Sequence, residues 1–257
     1  MLELNHIEKV YNPGTVNQMC LFSDFSLRVD DGAFVCIVGS NGSGKTSLLN
    51  ILCGSIPIEG GHIVLDGRDI TRMPEHRRYR TIGRVYQNPA MGTCPHMTIL
   101  ENMALADNKG KPYSLARGVN RQRKEHYREL LRRLNLGLED KLEVQVGSLS
   151  GGQRQAMALL MSTLTPISFL ILDEHTAALD PKTAEIIMEL TDEIVREKHL
   201  TTLMVTHNLR HALAYGDRLV MMHEGGVVLD KAGADKHAVQ LEDVLAIFNE
   251  ISIECGN

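Results

Sequence analysis

Hydrophobic and polar residues change rhythm several times along this chain, and each change marks an element. Over residues 2–31 apolar and polar positions alternate, the period of a half-buried strand. Asn12-Pro13-Gly14 interrupts that alternation with turn residues, so the segment predicts antiparallel strands. Ala33-Phe34-Val35-Cys36-Ile37-Val38 does not alternate; a short unbroken apolar run is the mark of a strand covered on both faces. Helical spacing follows in Ser47–Leu52, and Ile63-Val64-Leu65-Asp66-Gly67 reads as a further strand and turn. From about 88 to 162 the spacing is mostly helical, clearest in Tyr127–Leu134 and in Gln153–Ser162. A second unbroken run, Phe169–Leu172, precedes an amphipathic helix over Thr183–Lys198 and a third buried strand, Leu203–Thr206. Arg218–Met222 and Val227–Leu229 flank Glu224-Gly225-Gly226 as a hairpin, and Gln240–Ile251 is the last predicted helix. Buried strands alternating with helices predict an α/β fold around a mainly parallel sheet.

The first buried run ends in Gly39-Ser40-Asn41-Gly42-Ser43-Gly44-Lys45-Thr46, the pattern G-x-x-x-x-G-K-[ST], and Ser47 continues the helix behind it. Strand, loop and helix in that order are the context a phosphate-binding loop requires. Glycines let successive N–H groups curl inward toward phosphate oxygens, and the helix N-terminus adds partial positive charge. Lys45 is expected to reach the β- and γ-phosphates and the Thr46 hydroxyl to ligate Mg²⁺. The second buried run ends in Asp173-Glu174. The end of that strand would deliver Asp173 to the Mg²⁺ shell and place Glu174 beside the γ-phosphate, as general base for the attacking water.

Taken with Leu149-Ser150-Gly151-Gly152-Gln153, these strings resemble the ATP-binding cassette family, the nucleotide-binding subunits of ABC transporters. The resemblance runs from about Leu2 to about Lys231, with motifs in family order and at family spacing. Gln87 matches the Q-loop glutamine, Ala178-Leu179-Asp180 the D-loop, His207 the switch histidine, and Tyr11 the aromatic that stacks on adenine. It implies a P-loop core of about 1–87 and 163–257 with an antiparallel β subdomain, and a helical subdomain of about 88–162, in one domain over 1–257. It implies that two cassettes, a homodimer or a pair with a paralogue, sandwich two ATP molecules head to tail. Ser150, Gly151, Gly152 and Gln153 of one copy would then cap the nucleotide held by Gly39–Ser47 of the other. Gln87 would contact Mg²⁺ or the lytic water, His207 would hold the γ-phosphate, and Asp180 would link the two sites. One position departs from the family's Asp-Glu-Pro-Thr: His175 stands where the proline usually does. Its expected role is a packed substitution at the turn, with a titratable group near the site as the alternative. The same Asp-Glu-His-Thr string is similar to that of importer ATPases for aromatic amino acids.

Composition narrows the partners. A length of 257 residues holds one well-cored domain with a smaller lobe, and a net charge of −5 gives no broad basic field for nucleic acid. Arg77-Arg78-Tyr79-Arg80 and Arg121-Gln122-Arg123-Lys124 are read as solvated helix faces, with a surface for permease loops or anionic headgroups as the alternative. Cys20, Cys36, Cys53, Cys94 and Cys255 are scattered without a C-x-x-C pair, which argues against a disulfide framework or zinc and fits a reducing cytoplasm. Cys36 and Cys53 read as small buried apolar residues. No apolar stretch reaches membrane-spanning length and no signal peptide opens the chain. Met91, Met97 and Met103 are candidates for a permease-facing lining or for core. The stretch after the hairpin leaves no room for a regulatory domain, so transinhibition is not expected. The implied function is the ATPase subunit of a transporter on the cytoplasmic membrane face. It would work with integral membrane permeases and a separate substrate-binding protein, importing a small solute such as an amino acid. Alternatives are an exporter or lipoprotein-release ATPase, or a non-transport cassette acting on DNA or ribosomes.

Overall fold

The computed structural model describes residues 1–112 and 118–254; Cys255 and part of the expected helical segment, 113–117, lie outside them. The alternating N-terminal stretch becomes β1 (Leu2–Tyr11) and β2 (Met19–Val29), joined with β4 (Gly60–Leu65) and the two-residue β5 (Arg68–Asp69) in an antiparallel sheet of order β2-β1-β4-β5. The unbroken apolar runs form the middle of a six-stranded sheet. Its members are β3 (Phe34–Gly39), β6 (Ile82–Val85), β7 (Phe169–Asp173), β8 (Thr201–Val205), β9 (Arg218–His223) and β10 (Gly226–Ala232), in the order β10-β9-β3-β8-β7-β6. All neighbours are parallel except the β9–β10 hairpin. The helices are α1 (Lys45–Cys53), α2 (Glu75–Arg78), α3 (Ile99–Asp107), α4 (Lys124–Arg132), α5 (Gly151–Ser162), α6 (Pro181–Glu197), α7 (Leu209–Ala214), α8 (Gly233–Ala238) and α9 (Leu241–Glu254).

Why the central strands carry no polar alternation is visible in their two faces. Side chains of a strand point alternately to either side. Val35, Ile37, Phe169, Ile171, Leu203 and Val205 face α1 and the antiparallel sheet, in a cluster with Leu48, Leu52, Phe22 and Phe25. Their neighbours Phe34, Cys36, Val38, Leu170, Leu172 and Met204 face the other way, into a cluster with α5, α6 and the helical segment. Both faces are dry, so both sets must be apolar. All four aliphatic side chains of α1, Leu48, Leu49, Ile51 and Leu52, are fully buried. At about 1.5–3 kcal/mol each, that burial fixes α1, and the phosphate loop with it, rigidly on the sheet.

The basic string before β6 requires a correction. Arg77 and Arg80 are exposed, whereas Arg78 is buried, with 4% of its surface accessible. Its guanidinium donates to the carbonyls of Ile51 (2.8 Å), Leu52 (3.0 Å), Met73 (2.8 Å) and Thr71 (2.8 Å). The last carbonyls of a helix have no intrahelical donors, and a cation there also meets the negative end of the helix dipole. Arg78 thus adds a side-chain cap to the end of α1, beside the backbone cap that Gly54 supplies. The methionines divide: Met103 is core, Met91 is exposed and Met97 is half-buried. Cys36 and Cys53 are buried among apolar side chains as expected, and burial pushes the Cys36 thiol up to about 12. Nothing in the sequence pattern points to β5, β6, α7 or α8, all six residues or shorter.

Candidate functional site

Gly39, the last residue of β3, has φ 155°, and a Cβ there would lie 2.2 Å from the Met222 carbonyl oxygen on β9. Only glycine lets the chain turn off the sheet so close to its neighbour. The loop then enters α1 through Gly44, in the left-handed region (φ 100°) and without a side chain to cap the helix. The first N–H groups of α1 are therefore left without a side-chain acceptor and face a cleft, which is the arrangement of an anion cradle. Lys45 is buried and its Nζ donates to the carbonyls of Gly39 and Ser40, both at 2.8 Å. Burial lowers its pKa, partly offset by the charge of Glu174. Ser40 Oγ is 3.1 Å from His223 Nδ1. Asn41, Gly42, Gly44, Lys45, Thr46 and Ser47 line the cleft with Glu174 and His207, and Met19 and Leu21 complete its apolar side.

Glu174 reaches the cleft through strain. Its φ of 47° is unusual for a residue with a side chain, and its N–H is anchored on Val205 O at 2.9 Å. The carboxylate lies 2.6 Å from His207 Nε2, with the histidine side chain 48% exposed and the glutamate 14%. Asp173 is held by a residue the motifs did not point to. Arg84 on β6 puts Nη2 2.6 Å from Asp173 Oδ2, Nη1 2.9 Å from Asn50 Oδ1 on α1, and its guanidinium over the Tyr86 ring at 4.7 Å. Burial alone would lower the Arg84 pKa, but the hydrogen bond and charge of Asp173 outweigh it and raise the value.

Tyr11 is half-buried and its hydroxyl donates to Ser47 Oγ at 3.0 Å, at the rim of the phosphate loop. Gln87 is exposed two residues beyond β6 and does not line the cleft. Asp180 caps α6, accepting from Thr183 N–H at 3.1 Å. Ser150 caps α5 in a reciprocal pair with Gln153, whose Nε2 also donates to Leu136 O. None of Ser150, Gly151, Gly152 or Gln153 lines the cleft of its own chain. Gly152 instead meets α6: a Cβ there would sit 2.3 Å from Thr183 Cγ2. His175 is buried, its Nε2 3.0 Å from Thr191 Oγ1, and burial, then the neighbouring His211, pushes its pKa down to about 3. It is packed at the turn, as the blander expectation had it, and does not titrate near neutrality.

The oxygen donors at the cleft suit a hard cation such as Mg²⁺. Thr46 is exposed and lines the cleft, and Asp173, paired with Arg84 at the end of β7, lies beside Glu174 but is not itself among the lining residues. Among the described residues no three His, Cys, Asp or Glu side chains converge as a metal site. Mg²⁺ at phosphates uses one or two protein ligands and takes the rest from phosphate and water, so these donors fit.

A family model described as ABC transporter matches residues 22–177, more than half of the chain. The chain belongs to the ABC transporter family. The cassette is 47% identical over 248 residues, 96% of this chain and 98% of the relative, to the tyrosine transport ATP-binding protein of Clostridioides difficile (strain R20291). It is 33% identical to the spermidine/putrescine import ATP-binding protein PotA of Haemophilus influenzae, over 90% of this chain and 57% of that longer protein. Among solved structures, the dimeric MJ0796 cassette in a post-hydrolysis state with ADP and Pi superposes with a TM-score of 0.76 at 27% identity, covering 90% of this chain and 98% of that one. The sandwich of a parallel sheet, an antiparallel sheet and helices is the cassette fold, and the protein is an ABC ATPase that binds ATP. Among its described residues no helix is long and apolar enough to cross a membrane.

Proposed function

We propose that this cassette powers a bacterial importer of a small solute, an aromatic amino acid of the tyrosine type. The observation that carries the reading is the near end-to-end match to a tyrosine transport ATP-binding protein, 96% of one chain against 98% of the other at 47% identity. The cassette would work as a homodimer, or paired with a paralogue, on the cytoplasmic face of the membrane, docked on permease subunits fed by a separate binding protein.

The chemistry of the site supports a hydrolysis cycle in residue terms. Lys45 exchanges its two loop carbonyls for phosphate oxygens, and the N–H groups of Gly42, Gly44, Lys45 and Thr46 share the charge. Thr46 and Asp173 would hold Mg²⁺, joined by Gln87 from beyond the cleft, and the ion would neutralise phosphate charge. His207 is half exposed, so turning from Glu174 to the γ-phosphate costs little packing. Glu174, released, accepts the proton of the attacking water. Tyr11 and Met19 would flank the adenine of the nucleotide. Ser150 and the α5 N-terminus lie outside the cleft of their own chain, which supports a cradle completed in trans. A second copy supplies them, and Asp180 stands at the junction. Loss of the γ-phosphate removes those contacts and opens the dimer.

Affinity purification of the chain from detergent-solubilised native membranes tests the reading. A permease and an extracytoplasmic binding protein that takes up tyrosine support it. Ribosomes or DNA-associated proteins without a permease overturn transport, and a permease with no binding protein and an outward substrate supports an exporter.

A further inference from the structure

The residue after Glu174 does more than fill space. Thr191, fully buried on α6, donates its single hydroxyl proton to Ile187 O at 2.7 Å. Its oxygen can then only accept from His175, 3.0 Å away, which fixes the His175 tautomer with hydrogen on Nε2. This bond crosses from the turn that carries Glu174 to the middle of α6. Glu174 itself occupies the left-handed region. A proline at position 175 would oppose that, because proline drives the preceding residue toward extended backbone. A non-proline residue here permits the conformation, and the Thr191 bond holds the turn that adopts it. Four residues past His207, His211 is tied to the same helix through Nε2 and Glu185 Oε1 at 2.9 Å. Helix α6 thus gathers the turn bearing Glu174 and the helix that follows His207, and its own N-terminus is Asp180.

We propose that His175 is a positioning residue for Glu174, its buried hydrogen bond to Thr191 locking the carboxylate to α6 so that Glu174 and the Asp180 end move as one body. The proposal rests on the reading of Glu174 as general base. Misplacing a catalytic group by about 1 Å can cost roughly 100-fold in rate, so a partial loosening is expected to cost about 10-fold.

Thr191→Val keeps the volume and removes the acceptor; Thr191→Ser keeps the acceptor. Thr191→Val is expected to lower kcat for ATP about 10-fold, with KM and the affinity for a fluorescent ATP analogue within about twofold of wild type. Thr191→Ser is expected to retain kcat within about threefold. A Thr191→Val protein that melts earlier yet hydrolyses ATP at the wild-type kcat overturns the proposal and leaves His175 as packing. If Thr191→Val does not fold, His175→Gln, which retains an N–H donor, is compared with His175→Leu, which does not. Activity kept by Gln and lost by Leu supports the tether, and equal kcat overturns it. Glu174→Gln, measured alongside, separates the two claims. Wild-type hydrolysis by Glu174→Gln refutes the general base, whereas an inactive Glu174→Gln with an unaffected Thr191→Val removes only the tether.

Discussion

Replacing Arg84 with methionine removes the cation from a carboxylate that has almost no water around it. The Arg84 and Asp173 side chains are 6% and 14% exposed, and their atoms meet at 2.6 Å. Breaking one side of a buried ion pair costs about 3–5 kcal/mol, most of it from the charge left uncompensated. Asn50 Oδ1 loses its donor as well. For a domain of this size 1 kcal/mol moves the melting point by about 2–4 °C, so Arg84→Met is expected to melt roughly 6–20 °C below wild type. The assay is thermal denaturation followed by circular dichroism, without nucleotide or divalent cation, so that nothing else neutralises Asp173. The double variant Arg84→Met/Asp173→Leu replaces the pair with apolar groups, a change that is often neutral or stabilising, and should recover most of the loss. A single variant within about 2 °C of wild type, or a double variant no more stable than the single, would refute the view that Arg84 neutralises a buried Asp173.

Other variants probe other joints of the structure. Arg78→Leu removes the donor from two carbonyls at the end of α1, Ile51 and Leu52, and from those of Thr71 and Met73, and is expected to cost about 3 kcal/mol or more in urea denaturation; unchanged stability would show that these bonds are dispensable. Gly152→Ala drives a methyl group into Thr183 Cγ2 and should cost about 1–3 kcal/mol, with Thr183→Ser restoring it; absence of that rescue would place the strain elsewhere. A thiol reagent at pH 8 should label the exposed Cys20 in the folded protein and leave Cys36, whose pKa is raised to about 12 by burial, untouched until denaturant is added. The same shift makes the Cys36 contribution to stability complete below about pH 9 and lost as pH rises toward 12. Ser150→Ala should abolish most ATP hydrolysis while leaving monomer affinity for ATP unchanged; a large loss of monomer affinity would contradict capping by the second copy.

The readable parts of this chain were those written in contiguous sequence. The phosphate loop is one segment whose flanks are a dry strand and an amphipathic helix, so pattern and chemistry coincide there. The runs Phe34–Val38, Phe169–Leu172 and Leu203–Val205 announced a two-sided core because nothing polar can sit in any of them. What stayed hidden depends on tertiary neighbours. Within Arg77-Arg78-Tyr79-Arg80 only Arg78 meets the end of α1, and nothing in the string distinguishes it from the exposed arginines beside it. Arg84 sits in a four-residue strand too short to show a period, and its partner is 89 residues away. The turn at Glu174-His175 was legible as a departure from the family pattern. Its meaning was not, since Thr191 reaches it only through the packing of α6. Helix α7 escaped notice for a simpler reason: six residues give fewer than two turns of spacing.

The claim on which the rest depends is that one chain holds half of each nucleotide site. Light scattering of Glu174→Gln at saturating ATP and Mg²⁺ measures it most directly, because slowed hydrolysis leaves the closed state populated. A particle of twice the 28.6 kDa chain is expected, returning to one chain when ATP is withheld. A protein that binds ATP and remains at 28.6 kDa would contradict it.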